Sequence, residues 1–181
     1  MIHQDHVNLL RGGIPAPGGV WADFGSGGGA FTLALADLLK PLGKIYSIDR
    51  DRAALREQEA ALRAQFPGVE VHYLAADFTR RLDLPLLDGA VMANSLHFVA
   101  RDAQVEVVRL VKSYLRPNGR LILVEYNVDA GNLWVPHPFS YLTWEALARK
   151  AGFNHTRLLA TAPSRFLNEF YSALSETIGG S

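Results

Sequence analysis

Trp21-Ala22-Asp23-Phe24-Gly25-Ser26-Gly27-Gly28-Gly29-Ala30 leaves an apolar run, crosses four glycines in five residues and enters a second apolar run that continues to Leu39. Val20 to Phe24 reads as a short buried strand, and Ala30 to Leu39 reads as a helix. Glycine takes positive φ without strain and carries no Cβ, so the connection can turn sharply and let a ligand approach the backbone. The helix that follows presents unpaired N–H groups and a positive dipole end, which suits an anionic group.

On both sides of this loop, strand-like and helix-like segments alternate. The pattern predicts strands over 20–25, 44–49, 69–75, 87–94 and 119–126. Helices fill 30–40, 51–65 and 102–115, with a weak turn near 80–85. Runs such as Leu121-Ile122-Leu123-Val124 suit strands buried on both faces of a parallel sheet. Pro41 and Gly43, Pro67 and Gly68, and Pro117-Asn118-Gly119 read as the stops of the three helices. This alternation predicts an α/β doubly wound sheet with a ligand crevice beyond the carboxyl ends of its strands. Toward the C-terminus a helix capped at Thr143 runs to Lys150 and stops at Gly152. Two strand-like runs follow, 155–161 and 168–174. The few residues joining them are too short for a parallel crossover, so they form an antiparallel hairpin.

The chain has 181 residues, 49% of them apolar and 20% charged, enough for one globular core. Residues 18–181 read as that core and 1–17 as an N-terminal lid or cap. Eighteen basic and eighteen acidic residues cancel, which disfavours nucleic acid or an anionic membrane as partner. No cysteine is present, so disulfides, thiolate metal sites and cysteine nucleophiles are excluded from this chain. Residues 1–11 lack the basic start and apolar run of a signal peptide, and no stretch approaches the ~20 apolar residues of a membrane span; the expected location is cytoplasmic. Nothing in the sequence sets an oligomeric state.

Gly25-Ser26-Gly27-Gly28-Gly29-Ala30 fits the dinucleotide loop as well as other nucleoside cofactors. Asp49, 24 residues after Gly25, suits an acid gripping ribose hydroxyls in either case, or a cap-region acid of the following helix. Three features favour one side. Asp23 sits within the strand end, where a dinucleotide loop needs no acid. Asp77 ends the third strand, where it could accept from an adenine amine or cap the next turn. The antiparallel tail is the third.

Val20–Gly29, Ile45–Asp49, Ala75–Phe78, Asp88–Asn94 and Leu115–Val124 together, in this order and spacing, resemble the class I S-adenosylmethionine-dependent methyltransferases, most nearly their small-molecule branch, similar to the type 11 and quinone-biosynthesis enzymes. The resemblance covers nearly all of the chain from residue 18. It implies a Rossmann-like seven-stranded sheet, mostly parallel with an antiparallel C-terminal strand, and S-adenosyl-L-methionine as cofactor. It assigns Gly25, Ser26, Gly27 and Gly29 to the cradle around the methionine part and Asp23 to orienting that cradle. Asp49 would accept the ribose hydroxyls, Asp77 the adenine amine with the Phe78 backbone beside it, and Asn94 would contribute a carbonyl. Arg50 departs from the apolar residue that often packs on adenine.

Methyl transfer needs donor and acceptor aligned at about 3 Å with water excluded. A base is needed only when the acceptor loses a proton, and His97, just past the fourth strand, is the candidate. Its alternative is a structural histidine packing the next helix. Asn127 to Leu142 reads as a long aromatic loop, and Tyr126, Trp134, His137 and Tyr141 are expected to wall an acceptor pocket, with core packing as the alternative. His3 and His6 lie one turn apart on a short N-terminal helix, without an evident third ligand for a metal. No acid-or-amide-Pro-Pro-aromatic motif follows the fourth strand, which disfavours adenine or glutamine amino methylation. A small-molecule methyl acceptor fits best. The competing readings are an NAD(P)-dependent oxidoreductase, weakened because no tyrosine has a lysine four residues on, and a non-catalytic S-adenosylmethionine-binding protein.

Overall fold

Leucine, alanine and phenylalanine repeat at helical spacing between short apolar runs, and the computed structural model, which describes residues 1–164 and 166–177, resolves that alternation into five helices and seven strands among them. They are α1 (His3–Arg11), β1 (Val20–Phe24), α2 (Ala30–Leu39), β2 (Lys44–Asp49), α3 (Arg52–Gln65), β3 (Glu70–Ala75), β4 (Leu87–Ala93), α4 (Arg101–Lys112), β5 (Leu115–Tyr126), α5 (Tyr141–Lys150), β6 (His155–Pro163) and β7 (Glu169–Glu176), with a 3-10 turn at Leu96–Phe98.

The strands form one sheet in the order β3-β2-β1-β4-β5-β7-β6. Strands β1 to β5 pair in parallel, and β7 pairs antiparallel with both β5 and β6. The chain therefore winds outward from β1 through β2 to β3, then returns to the other side of β1 as β4. The carboxyl ends of β1 and β4 lie side by side at this reversal, the position where such sheets open a crevice. Two layers of apolar side chains cover the sheet. Phe24, Met92, Leu123 and Tyr171 pack with Val107 and Val111 of α4 and Trp144 of α5. On the opposite face Trp21, Ile45, Val91 and Leu174 pack with Leu35 and Leu39 of α2 and Leu62 of α3. Helix α1 joins this second layer through Val7, Leu9 and Leu10, all buried. Among the described residues, no helix is long and apolar enough to cross a membrane.

Three local readings change. Helix α5 is capped by Ser140, whose hydroxyl accepts from the Thr143 N–H at 3.4 Å, so Thr143 is the third residue of the helix and not its cap. Pro117-Asn118-Gly119 does not stop α4, which ends at Lys112. It bulges out of β5, where Leu87 pairs with Leu115 but Gly89 already pairs with Arg120. The weak turn expected near 80–85 lies at 78–80, and residues 81–86 form none.

Gly89 lies under the Trp21 indole, and a Cβ there would stand 2.2 to 2.5 Å from three ring carbons. Gly89→Ala must displace a buried ring between β1 and α2. It is expected to cost about 1–3 kcal/mol in urea unfolding with an unchanged m-value; a loss below half a kcal/mol would mean that the Trp21 packing is looser than described.

Candidate functional site

The loop after β1 is shaped by which glycines have room. Gly25, Gly27 and Gly29 all have φ between 51° and 83°. A Cβ on Gly25 would stand 2.5 Å from the Ser95 Cβ, and one on Gly29 2.5 Å from the Gln58 Cβ. The protein's own packing thus excludes side chains at 25 and 29. Gly27 and Gly28 would meet nothing within 4 Å, so their backbone faces open space.

Buried polar groups pin this backbone. Gln58, on the inward stripe of α3 with Leu55 and Leu62, donates through Nε2 to the Gly27 carbonyl at 2.9 Å and to Ser26 Oγ at 3.1 Å. The Ser47 hydroxyl of β2 lies 2.8 Å from both Ser26 Oγ and Gln58 Oε1. At the end of β2, Asp49 accepts from the Gly27 N–H and from the Asp51 N–H, each at 2.8 Å. Helix α3 is capped by Asp51 and not by Asp49, leaving Asp49 free to tie the loop to the sheet. Helix α2 starts at Gly29 with no side-chain cap and no acid in its first turn, so its N–H groups keep their affinity for an anion.

Beside the loop opens a cavity of about 940 Å³. Its walls are Gly25 to Gly27, Asp49 and Arg50 at the end of β2, Phe78 to Arg80 after β3, Ala93 to Ser95 at the end of β4, Phe98 to Ala100, and one face of α4. Asn94 stands at φ 51° where β4 ends, and its Oδ1 is buried with no hydrogen-bond partner among the described residues. An unpaired buried acceptor is costly. The open backbone of Gly27 and the polar residues Asp49 and Asn94 along one cavity fit a polar nucleoside-bearing ligand.

Asp23 lies behind the loop and off the cavity wall. It is 1% exposed and accepts from the Thr32 hydroxyl at 2.7 Å through Oδ2, while Oδ1 has no partner among the described residues. Burial pushes its carboxyl up to about 7, against the Thr32 hydrogen bond and with a smaller push from Asp49. Asp77 also stands off the wall. Its Oδ1 accepts from the N–H and hydroxyl of Thr79 at 2.9 and 2.7 Å, the turn-capping geometry, and Oδ2 lies 3.8 Å from Arg50. Burial works against its charge, but the Thr79 hydrogen bonds and Arg50 outweigh it and hold the carboxyl below its usual range.

His97 and Glu125 are brought together, although 28 residues apart. His97 Nδ1 lies 2.7 Å from Glu125 Oε2, and the His97 N–H donates to Glu125 Oε1 at 3.2 Å. The histidine is 3% exposed and the glutamate 0%. Tyr126 joins them, its ring 6.0 Å from the imidazole. The other expected wall residues do not gather there. Trp134 is 70% exposed on a turn held by Asn132, and Tyr141 starts α5, packed edge-on against Tyr171. His137 is half-buried and contributes backbone: its N–H donates to the His97 carbonyl, and its carbonyl accepts from Gln104. The loop over 127–140 is anchored by buried Val135 and Phe139, so core packing accounts for much of its aromatic content. Gln58, Ser47 and Glu125 were not singled out from sequence. The signal for each was a polar side chain at a position whose neighbours are buried.

A carboxyl raised toward 7 by folding takes up a proton as the chain folds at any pH between its ordinary value and 7. Its ionisation then costs folded-state stability increasingly as pH rises, in full above about 7. The Tm gain of Asp23→Asn over the unmodified chain, followed by calorimetry without ligand, is therefore expected to be larger at pH 8 than at pH 5. Equal gains would contradict a buried, uncompensated Asp23.

Known proteins resemble this chain in sequence or in fold. A family model described as a methyltransferase domain matches residues 22–119, from β1 to the bulge of β5. Mouse acetylserotonin O-methyltransferase is 36% identical over 124 residues, covering 64% of this chain and 30% of its own length. The ribosomal RNA small subunit methyltransferase H of Granulibacter bethesdensis is 38% identical over 93 residues, covering 49% of this chain and 27% of its own. The chain thus spans about 30% of the length of the curated relatives it matches. Among solved structures, the Burkholderia thailandensis 1,6-didemethyltoxoflavin-N1-methyltransferase, with bound 1,6-didemethyltoxoflavin and S-adenosylhomocysteine, shares the fold at a TM-score of 0.73 and 19% identity, over 97% of this chain and 78% of that one. With the glycine loop, Asp49 and the β1–β4 reversal all inside the matched segment, the chain belongs to the class I S-adenosylmethionine-dependent methyltransferase family.

Proposed function

We propose that this chain transfers a methyl group from S-adenosylmethionine to a small-molecule acceptor. The observation that carries the reading is the cavity at the β1–β4 reversal, where the open backbone of Gly27 and the polar residues Asp49 and Asn94 line the same space. When bound, the cofactor supplies an electrophilic methyl group on a sulfonium. The chain's own residues hold and orient it. Gly25, Ser26, Gly27 and Gly29 shape the cradle, and the Asp49 carboxylate has lone pairs left for ribose hydroxyls. Phe78 and Arg50 border the adenine end, with Asp77 behind Thr79 and Arg50. Asn94 offers an acceptor to the cofactor's amine, and that ammonium favours the ionised form of Asp23 behind the loop. Residues 18–181 act as the core and residues 1–17 as a cap on it.

His97 is the proton acceptor in this reading. Glu125 fixes the ring through Nδ1, which leaves Nε2 to take a proton from an acceptor hydroxyl as the new bond to carbon forms. A balanced net charge supports a small molecule over RNA, as do the acceptors named for the mouse and Burkholderia relatives. The Granulibacter relative favours the RNA reading, and a ribosomal RNA substrate is the comparison any activity screen should include.

Asp49→Ala is expected to weaken S-adenosylmethionine binding, measured by calorimetry, by about 1.5–3 kcal/mol, the cost of losing a hydrogen bond to a charged group; unchanged affinity would remove Asp49 from cofactor binding. His97→Asn keeps a donor for Glu125. It is expected to lower kcat toward a hydroxyl acceptor about 10²- to 10⁴-fold without changing cofactor affinity; full turnover in that variant would reduce His97 to packing.

A further inference from the structure

The carboxylate that would read the amine of a bound adenine is already engaged. Asp77 lies two residues past β3 and off the cavity wall. Its Oδ1 accepts from the Thr79 N–H at 2.9 Å and from the Thr79 hydroxyl at 2.7 Å, and its Oδ2 stands 3.8 Å from Arg50. The Arg80 N–H donates to the Asp77 carbonyl at 3.0 Å and closes the same turn. Swinging this carboxylate onto a ligand would break both Thr79 hydrogen bonds and part it from Arg50.

Arg50 holds the place that Asp77 leaves. It lines the cavity directly after Asp49, with 70% of its side chain exposed. Of the two arginines on this wall, Arg50 and Arg80, Arg50 is the one in an ion pair among the described residues. The aromatic ring at this end is committed to packing. Phe78 is 8% exposed and lies against the glycine loop, its Cε1 3.2 Å from the position of a Cβ on Gly25. A guanidinium only donates, so it cannot accept from an amine. It is flat and weakly hydrated, and it stacks on the face of an aromatic ring.

Resting on the methyl-transfer reading, we infer that Arg50 holds the cofactor's adenine by its face, that Asp77 is the positioning residue behind Arg50, and that the 6-amino group of the base is not read by Asp77. Two departures then have one cause. Position 50 carries a cation in place of an apolar cover, and the acid after β3 turns away from the ligand because it steadies that cation. An exposed ion pair is a loose tether, so Asp77 orients the guanidinium and contributes little to stability.

Two ligands separate the roles: S-adenosylhomocysteine, and its analogue with purine in place of adenine, which lacks only the 6-amino group. In calorimetric titrations of the full chain, they are expected to bind within three-fold of each other. Arg50→Ala should weaken both at least five-fold and by the same factor. Asp77→Asn keeps the turn, since an asparagine oxygen also accepts from Thr79, but removes the charge that faces Arg50. It should weaken both about three-fold in the unmodified chain and cause no further loss when combined with Arg50→Ala. A purine analogue ten-fold weaker than S-adenosylhomocysteine overturns the reading by face, and loss of that difference in Asp77→Asn would place Asp77 on the amine. Unchanged affinities in Arg50→Ala overturn the stacking role. An Asp77→Asn effect that persists in full beside Arg50→Ala overturns positioning. All three results leave methyl transfer standing, whereas failure of S-adenosylhomocysteine to bind the unmodified chain overturns the methyl-transfer reading and this inference with it.

Discussion

Two contacts that tolerate no Cβ hold the site together. Gly25 lies against Ser95 at the end of β4, and Gly29 lies against Gln58 of α3, each so close that a methyl group would stand 2.5 Å from its neighbour. The first brings the loop after β1 onto the segment after β4, which is the crevice itself. The second seats the start of α2 on α3, and through Gln58 it fixes the carbonyl of Gly27. Once those two glycines are clamped, the residues between them have one backbone path. The Gly27 N–H then turns to Asp49, and the faces of Gly27 and Gly28 are left for a ligand. Rigid backbone at the site and an unfilled space beside it have the same cause.

The charges follow from burial. Asp49 is stabilised by two N–H donors and keeps contact with the cavity, so it can meet polar hydroxyls at little reorganisation cost. Asp23, buried with one hydrogen bond, is pushed toward 7 and responds to any cation that comes near. Glu125 is fully buried in a strand covered on both faces, where a lone carboxylate would be prohibitive. The ring and N–H of His97 satisfy it, and this fixes the histidine's orientation from beneath.

Much of the fold is legible in sequence because its signals are local. Apolar runs bounded by glycine and proline mark β1 to β5, and the short gap after β6 forces the antiparallel hairpin. Where reading and structure part, several local signals compete or the deciding partner is far away. Ser140 and Thr143 are equally good caps by residue type, and only the chain's entry angle chooses Ser140. Pro117 to Gly119 reads as a helix stop but is accommodated as a bulge on the β4–β5 pair. At the site, the glycine loop and Asp49 stand out because their spacing is fixed by one strand–helix turn. Gln58, Ser47 and Glu125 do not, because their partners lie 11 to 32 residues away. Each carries a weaker mark, a polar residue on a buried stripe. Trp134 misleads for the opposite reason: aromatic content says nothing about which way a loop turns its ring.

The cavity at the β1–β4 reversal should admit S-adenosylmethionine and reject a dinucleotide. Paired calorimetric titrations of the intact chain with S-adenosylhomocysteine and with NADH test it most directly. One equivalent of S-adenosylhomocysteine per chain with no heat from NADH is the predicted result; saturable NADH binding without S-adenosylhomocysteine binding would contradict it.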